Sequence, residues 1–516
     1  MRIGTFLLLL VALLFTNSCG RSADRTAQSR LASLNSSPRF SLTRDVGKTL
    51  EEVLERERTQ PACERYWSLL DASDAPRAGT APSEVQEQEV LCGKWMFLSW
   101  ETSGKLPLPE ILFDAIERSW PERVGKGFAK LGFLPNPTDP AQRPLGIARS
   151  TTRYTGMPAV NVTCAACHVG RLPDGRYAVG APNTQLDLST FNLMSFYPLY
   201  ASMLDADREK LPPAAHLFFA ELERTERKRV WGGRYGIDWS NLVFKYSKLL
   251  HMLNIGPKGL PDVKFVVMPP ERDLMSWLEG RPGVFNPGAP MLTLQRAGVP
   301  NLSIPQIWGL SGKEEDYLEG RAAPLGQTTK YASLEKFVSS AIVYAYQDLN
   351  LVRPRHVRPL VSFLRQLRAP QQLETPTPDL VQMGSDFFKA SCSQCHDGAA
   401  GESTRLYSAG VVGSPPALEN ARAGYKATTP IAQLIDDLSK SLSADLNPQP
   451  EGIRSRRLTG IWARRDLMID GSVEDLDDLF CMKSGVRKVQ SSAHADLCTS
   501  FDTRSKAALI EYLRTL

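Results

Sequence analysis

Apolar positions along this chain recur with helical spacing and almost nowhere alternate as a half-buried strand would. Residues 45–131 read as helical: Val46, Leu50, Val53 and Leu54 share one face, and Ser83 to Gln86 forms a capping box ahead of Val90, Leu91 and Trp95. Helical patterns return at 186–230, broken at Leu211-Pro212-Pro213, and again at 331–348 and 355–367. Thr377-Pro378 offers an N-cap followed by proline at the first helical position. A last helix starts near Asp502 and presents Ala508, Leu509, Tyr512, Leu513 and Leu516 on one face. Prolines punctuate the pattern. Pro135, Pro137, Pro140 and Pro144 crowd one short stretch and predict a boundary, residues 280–310 are Gly- and Pro-rich loop, and Pro370, Pro376 and Pro378 mark a linker.

The first residues have a different pattern. Met1-Arg2 precedes an apolar run from Ile3 to Phe15, a basic start and an apolar length that suit a secretory signal. The run is short of the roughly 20 apolar residues a membrane span needs. Thr16-Asn17-Ser18-Cys19-Gly20 follows, with a small residue before a cysteine as at a bacterial lipoprotein cleavage site, although Thr16 stands where leucine is usual. The reading is a signal peptide over 1–18, a lipid anchor at Cys19, and a Ser-, Arg- and Thr-rich tether to residue 44; the alternative is a plain signal peptide with Cys19 in its cleavage region. Either route predicts export to the periplasm or outer membrane, where disulfides persist.

Composition narrows the class. A chain of 516 residues accommodates about two to four domains. With 42% hydrophobic and 23% charged residues it is ordinary globular protein, not disordered, collagen-like or polytopic. Lys plus Arg is 61 against 56 for Asp plus Glu, and a net +5 gives no ground for nucleic-acid binding. Nine cysteines against six histidines is the unusual feature.

Six of those fifteen Cys and His positions fall into one repeated motif. Cys164-Ala165-Ala166-Cys167-His168 and Cys392-Ser393-Gln394-Cys395-His396 are both C-x-x-C-H, the attachment pattern of c-type haem. Two thiols three positions apart reach the two vinyl groups on one porphyrin edge, and the adjacent imidazole comes up under the iron. With this Cys and His content a single chance match is expected about 0.002 times. A zinc site needs four ligands, and a redox pair has no use for the histidine at both places. The motifs therefore predict two covalently attached haem c groups, which also require an exported compartment.

Of the other cysteines, Cys63 is expected to pair with Cys92 across two N-terminal helices, and Cys481 with Cys498 near the C-terminus; the alternative is buried free thiols. Four histidines remain outside the motifs, His216, His251, His356 and His494. A haem with two protein ligands transfers electrons, whereas one with an open face binds oxygen or peroxide.

The sequence resembles the di-haem cytochrome c peroxidase superfamily, most closely its rubber-oxygenase-like branch. The resemblance lies in Asn161 to His168, Tyr317-Leu318-Glu319-Gly320-Arg321-Ala322, Gly384 and Phe388 before the second motif, Leu458-Thr459-Gly460-Ile461-Trp462-Ala463, Asp470-Gly471-Ser472-Val473, and Ser492-Ala493-His494 followed by Ala508 to Leu513. It covers roughly residues 145–516 and is thin between 190 and 295. It implies that His494 is the sixth ligand of the C-terminal haem, as in the oxygenase-like proteins, with Met482 the alternative, as in the peroxidases. No histidine stands between His168 and His216, where the peroxidases carry a distal one, which implies an open N-terminal haem, although Met203, His216 or His251 remain able to swing in. Departures are plain: Leu318 replaces the tryptophan usually placed between the haems, and Ile469 replaces the histidine before Asp470. Trp308 or Trp462 is a substitute stepping stone, with core packing the alternative. Glu319 is a candidate distal acid or base against a solvated charge, and Arg321 a candidate propionate partner.

The expected architecture is mainly α, with two cytochrome c-like helical haem domains (145–369 and 370–516) behind an N-terminal helical extension (45–144). The expected function is an oxidoreductase of peroxidase or oxygenase type. Its N-terminal haem, held by Cys164, Cys167 and His168, handles peroxide or dioxygen. Its C-terminal haem, held by Cys392, Cys395, His396 and His494, transfers electrons from an unknown donor or organic substrate. Glu319, Arg321 and Trp308 are the candidate catalytic residues. A pure electron carrier with both irons six-coordinate, and a haem sensor or inactive relative, are the competing readings.

Overall fold

The computed structural model describes residues 45–71, 82–101, 108–139, 142–151, 158–188, 282–285, 302–310, 351–396, 457–468, 471–483 and 494–516, with isolated positions between them. The described chain is mainly helical with few strands. The leader, Cys19 and the tether lie outside these residues, as do Met203, His216, His251, Glu319 and Arg321.

The N-terminal region begins with β1 (Val46–Gly47) and α1 (Leu50–Leu54), whose cap Thr49 accepts a hydrogen bond from the Glu52 N–H through its side chain at 3.3 Å. Helices α2 (Arg56–Asp71) and α3 (Pro82–Ser99) follow. Pro82 supplies the first helical position of α3, so Ser83 stands inside its first turn and not ahead of it as the cap. Helix α3 is buried on nearly every side from Glu89 to Leu98, which is the pattern of a central helix. The Cys63–Cys92 disulfide joins it to α2. Lys94, fully buried on α3, ends between Asp45 at 3.4 Å and Glu55 at 3.3 Å, so its charge is partnered where water is excluded.

Next come β2 (Leu108–Pro109), α4 (Glu110–Ser119) and α5 (Pro121–Val124). The proline-crowded stretch is no open linker. Leu145 donates its N–H to the Leu134 carbonyl at 2.8 Å, Pro135 bridges to Pro144, and buried Arg143 grips Asp139 at 2.9 Å and Glu110 at 3.3 Å. The prolines thus shape a closed loop fastened to α4.

The first motif stands among short strands. These are β3 (Ile147–Thr151) and β4 (Pro158–Val162) before it, α6 (Ala165–His168) within it, and β5 (Val169–Arg171) and β6 (Tyr177–Val179) after it. Two three-stranded antiparallel sheets result, ordered β1-β6-β5 and β2-β4-β3, with registers such as Val46 to Ala178 and Ile147 to Val162. In the Gly- and Pro-rich region, β7 (Val284–Phe285) pairs with β8 (Leu302–Ser303). None of these strands exceeds five residues, too few for an alternating pattern to stand out.

Helix α7 (Pro354–Gln366) packs on α3, with Phe97 against Phe363 edge to face at 5.5 Å. It completes one hydrophobic core that runs from Leu50 through α3 and the first motif to Leu367. A second core is smaller. It holds α8 (Pro378–Ser391), α9 (Leu476–Leu479) and α10 (Thr503–Arg514), together with Leu458, Ile461, Leu467 and Val473. Pro378 opens α8 as expected, with Thr377 as cap but without a side-chain cap hydrogen bond. Asp502 caps α10 by accepting from the Ser505 N–H at 2.8 Å, and Ala508, Leu509 and Leu513 are buried as the spacing predicts. Helices α8 and α10 cross so closely at Gly384 that any Cβ there would overlap the Ala508 carbonyl. The Cys481–Cys498 disulfide fastens the edge of this core. Among the described residues no helix is long and apolar enough to cross a membrane.

Candidate functional site

At the first motif the chain is held from three directions. Thr163 donates its hydroxyl to the Leu98 carbonyl of α3 at 3.1 Å. Asn183, buried, donates its backbone N–H to the Cys167 carbonyl at 2.8 Å and its side-chain amide to the Ala166 and Gly132 carbonyls at 3.2 and 2.9 Å. Gly180 donates to the His168 carbonyl at 2.8 Å. Ala165 and Ala166, the residues between the two thiols, are buried.

The imidazole of His168 is fixed as well. Its Nδ1 lies 3.1 Å from the Pro305 carbonyl oxygen, which only accepts, so Nδ1 carries the proton and Nε2 presents a lone pair. Burial lowers the pKa of His168 to about 4 against the opposing pull of the Pro305 bond, so the ring is neutral at physiological pH. That is the ligating state of a histidine.

Neither Cys164 nor Cys167 forms a disulfide. Burial pushes the Cys164 thiol up to about 11, and burial with the neighbouring Cys164 pushes Cys167 up to about 12. A redox C-x-x-C has the opposite property, an attacking thiol with a lowered pKa.

At the second motif Cys392 caps α8, and the His396 N–H bonds to the Cys392 carbonyl at 3.0 Å. Ser455 donates to the Cys395 carbonyl at 2.7 Å and Tyr407 to the Gln394 carbonyl at 2.7 Å. Both cysteines are again outside any disulfide, and burial raises Cys392 to about 11, with Cys395 adding to it. The His396 ring lies 6.3 Å from Phe388 and 6.4 Å from the ring of His494. His494 opens a short 3-10 turn, Ala495–Cys498, whose last residue is tied to Cys481 and whose end carbonyl accepts from Lys506 Nζ at 2.7 Å. Burial, and then His396, lower the His494 pKa to about 4. Met482, the alternative partner, is 37% exposed.

The spacing of the two rings tests the fit to haem iron. A metal–imidazole bond is about 2.0 Å and the ring centre lies about 1.1 Å behind its nitrogen, so two rings on opposite sides of one ion have centres about 6.2 Å apart. The observed 6.4 Å is close to that span, so the two rings have the spacing that would let them hold one ion between them. Among the described residues no group of three or more His, Cys, Asp or Glu is arranged to hold a metal ion unaided, and each motif instead offers two thiols with imidazole.

Trp308 lies between the two regions. It is fully buried, and its Nε1 donates to the Val179 carbonyl at 2.8 Å. Its ring fills the space beside Gly180, which binds His168, and beside Gly460 of the second region. A Cβ at either glycine would collide with the indole, and both have positive φ, +90° and +69°. Trp462 is half-buried and bonded to the Pro370 carbonyl at 3.2 Å.

Sequence reasoning did not reach Pro305, Asn183, Ser455 or Arg464. Pro305 stands in a stretch whose only linear signal is loop, and the others are isolated polar residues that gain meaning from partners 17 to 161 residues away.

Comparison with known proteins returns no matching family model, no matching curated protein and no matching solved structure.

Proposed function

We propose that this chain is an exported di-haem c-type cytochrome of the peroxidase and oxygenase kind, acting as an oxidoreductase. The observation that carries the reading is the His396–His494 pair beside the second C-x-x-C-H, whose ring centres lie 6.4 Å apart, a spacing that would admit one iron between them. Cys164 and Cys167 at the first motif, and Cys392 and Cys395 at the second, would hold the two haems through thioether links, and all four stand outside any disulfide. His168 presents Nε2 while Pro305 holds its ring and tautomer. His396 and His494 would hold the second haem iron between them, with the Cys481–Cys498 bond and Lys506 fixing the segment that carries His494. Covalently held haem would supply one-electron transfer and, where an axial position is vacant, reduction of peroxide or dioxygen. Trp308 provides a packed route from Gly180 beside His168 to Gly460. The exported location and the lipid anchor rest on the leader and Cys19. Glu319 and Arg321, outside the described residues, keep the roles the resemblance gives them, distal acid or base and propionate partner.

Electron paramagnetic resonance of the ferric protein tests this. One low-spin and one high-spin signal are expected, and His494→Ala should abolish the low-spin signal while Met482→Leu leaves it unchanged. Two low-spin signals would make a pure electron carrier the better reading. A preparation without covalent haem would overturn the proposal altogether.

A further inference from the structure

Arg464 is a buried cation whose hydrogen-bond partners are all neutral. Only 4% of it is exposed. Its Nη1 donates to the Gln306 side-chain oxygen at 3.0 Å, and its Nη2 donates to the Ser303 hydroxyl at 2.7 Å and to the Asp466 carbonyl at 3.3 Å. Its Nε has no hydrogen-bond partner. The acceptors are themselves oriented. Ser303 gives its own proton to the Met468 carbonyl at 3.0 Å, and the Gln306 amide nitrogen donates to the Arg457 carbonyl at 2.8 Å, which turns its oxygen toward Arg464. No carboxylate approaches the guanidinium within ion-pair distance among the described residues. Asp466 acts on it only at longer range, and although burial lowers the Arg464 pKa to about 10 it remains charged at neutral pH.

Burying a charge without a counter-charge is costly, and neutral hydrogen bonds repay only part of the cost. Stability alone therefore gives little reason for this arrangement. Location gives a better one. Ser303 and Gln306 flank Pro305, the residue whose carbonyl holds the His168 ring. The guanidinium thus bears on the short loop that orients the ligand of the first centre, in an interior where charges are weakly screened.

We propose that Arg464 is a tuning residue that raises the reduction potential of the first iron centre by fixing a positive charge against the Ser303–Gln306 loop. The inference rests on the haem reading above. A nearby cation favours the reduced iron, whose net charge is one unit lower. It also biases electrons toward the first centre, since Arg464 has no corresponding contact with His396 or His494. A tenfold change in the ferrous-to-ferric ratio, 59 mV for a one-electron couple, is the order a single buried charge exerts.

The test is a spectroelectrochemical titration of the full-length holoprotein, the two centres being resolved by their spin-state signatures. Haem content and covalent mass come first: wild-type protein without two attached haems would sink the underlying reading, independently of the Arg464 result. With both haems present, Arg464→Gln should lower the potential of the His168 centre by about 59 mV and leave the His396 centre nearly unmoved, while Arg464→Lys retains most of the wild-type value. Asp466→Asn, which removes the longer-range negative charge, should shift the same potential upward and keeps the test alive if Arg464→Gln does not fold. An unchanged first potential, equal shifts at both centres, or Arg464→Lys behaving like Arg464→Gln would each overturn the proposal.

Discussion

The two C-x-x-C-H segments carry the same chemistry in opposite surroundings. The first lies inside the larger core, between short strands, with Ala165 and Ala166 buried between its thiols. The second ends helix α8 at the edge of the smaller core, with Ser393 half-buried and Gln394 exposed in the corresponding places. The filler residues therefore follow the environment: two methyl groups where protein packs on both sides, two polar groups where water has access. At the first motif the structure fixes one imidazole through a distant proline carbonyl, and at the second it brings two imidazoles together, their ring centres 6.4 Å apart and their planes tilted by 56°. Identical motifs thus carry a singly held histidine in one place and half of a histidine pair in the other, all three rings being half-buried.

Exchanging the fillers should break this comparison most sharply. Ala166→Gln places an amide in a packed site beside the Gly146 backbone and should cost about 3 kcal/mol, through overpacking and an unsatisfied polar group. Gln394→Ala removes an exposed bond to the Ser391 carbonyl and should change stability by less than about 0.5 kcal/mol. Denaturant unfolding of each holoprotein, followed by circular dichroism, measures both. Equal costs would mean that the two motifs are equally buried.

A smaller effect comes from pH. His356, in the larger core, donates Nδ1–H to the Leu351 carbonyl at 2.9 Å and packs between Trp67 and Trp100 at 6.0 and 5.2 Å. Burial lowers its pKa to about 4, aided by Arg355 and Arg353 and opposed by the Leu351 bond. The folded state therefore binds this proton less readily than the unfolded chain, whose histidine titrates near 6.5. Its contribution is complete above pH 6.5 and is lost as pH falls toward 4, by at most about 3 kcal/mol. His356→Gln should flatten that part of the stability profile by about one proton. A profile as steep as wild type would assign the acid sensitivity to other groups.

How much of this was legible depended on the range of the interaction. Helices α3, α7, α8 and α10 were visible because their apolar faces, Pro378 and the Asp502 cap are local. Cys63–Cys92 and Cys481–Cys498 followed from accounting for the cysteines outside the motifs, and both bonds are present. The strands around the first motif were not visible, because β1 takes its register from β6 across more than a hundred residues and is only two residues long. The proline-rich stretch at 135–144 looked like a boundary because proline marks any turn, and only the Arg143 contacts reveal a closed loop. At the site, thiols and motif histidines announced themselves by spacing and His494 through family resemblance. Pro305, which holds His168 with a backbone carbonyl, had no side-chain signal to offer.

The mildest perturbation bears on what joins the two regions. Trp308 fills both the Gly180 and Gly460 surfaces, so its ring should matter more than its N–H. Trp308→Phe keeps an aromatic ring there but leaves the buried Val179 carbonyl without its donor, and should cost about 1–2 kcal/mol. If the indole also carries electrons between the centres, the rate of internal electron transfer after flash reduction of one centre should fall by more than that packing loss explains, while Trp462→Phe, which loses only a half-buried bond to Pro370, leaves the rate unchanged. Equal rates in wild type and Trp308→Phe would reduce Trp308 to a packing residue, and the two regions would then be coupled through their backbone contacts alone.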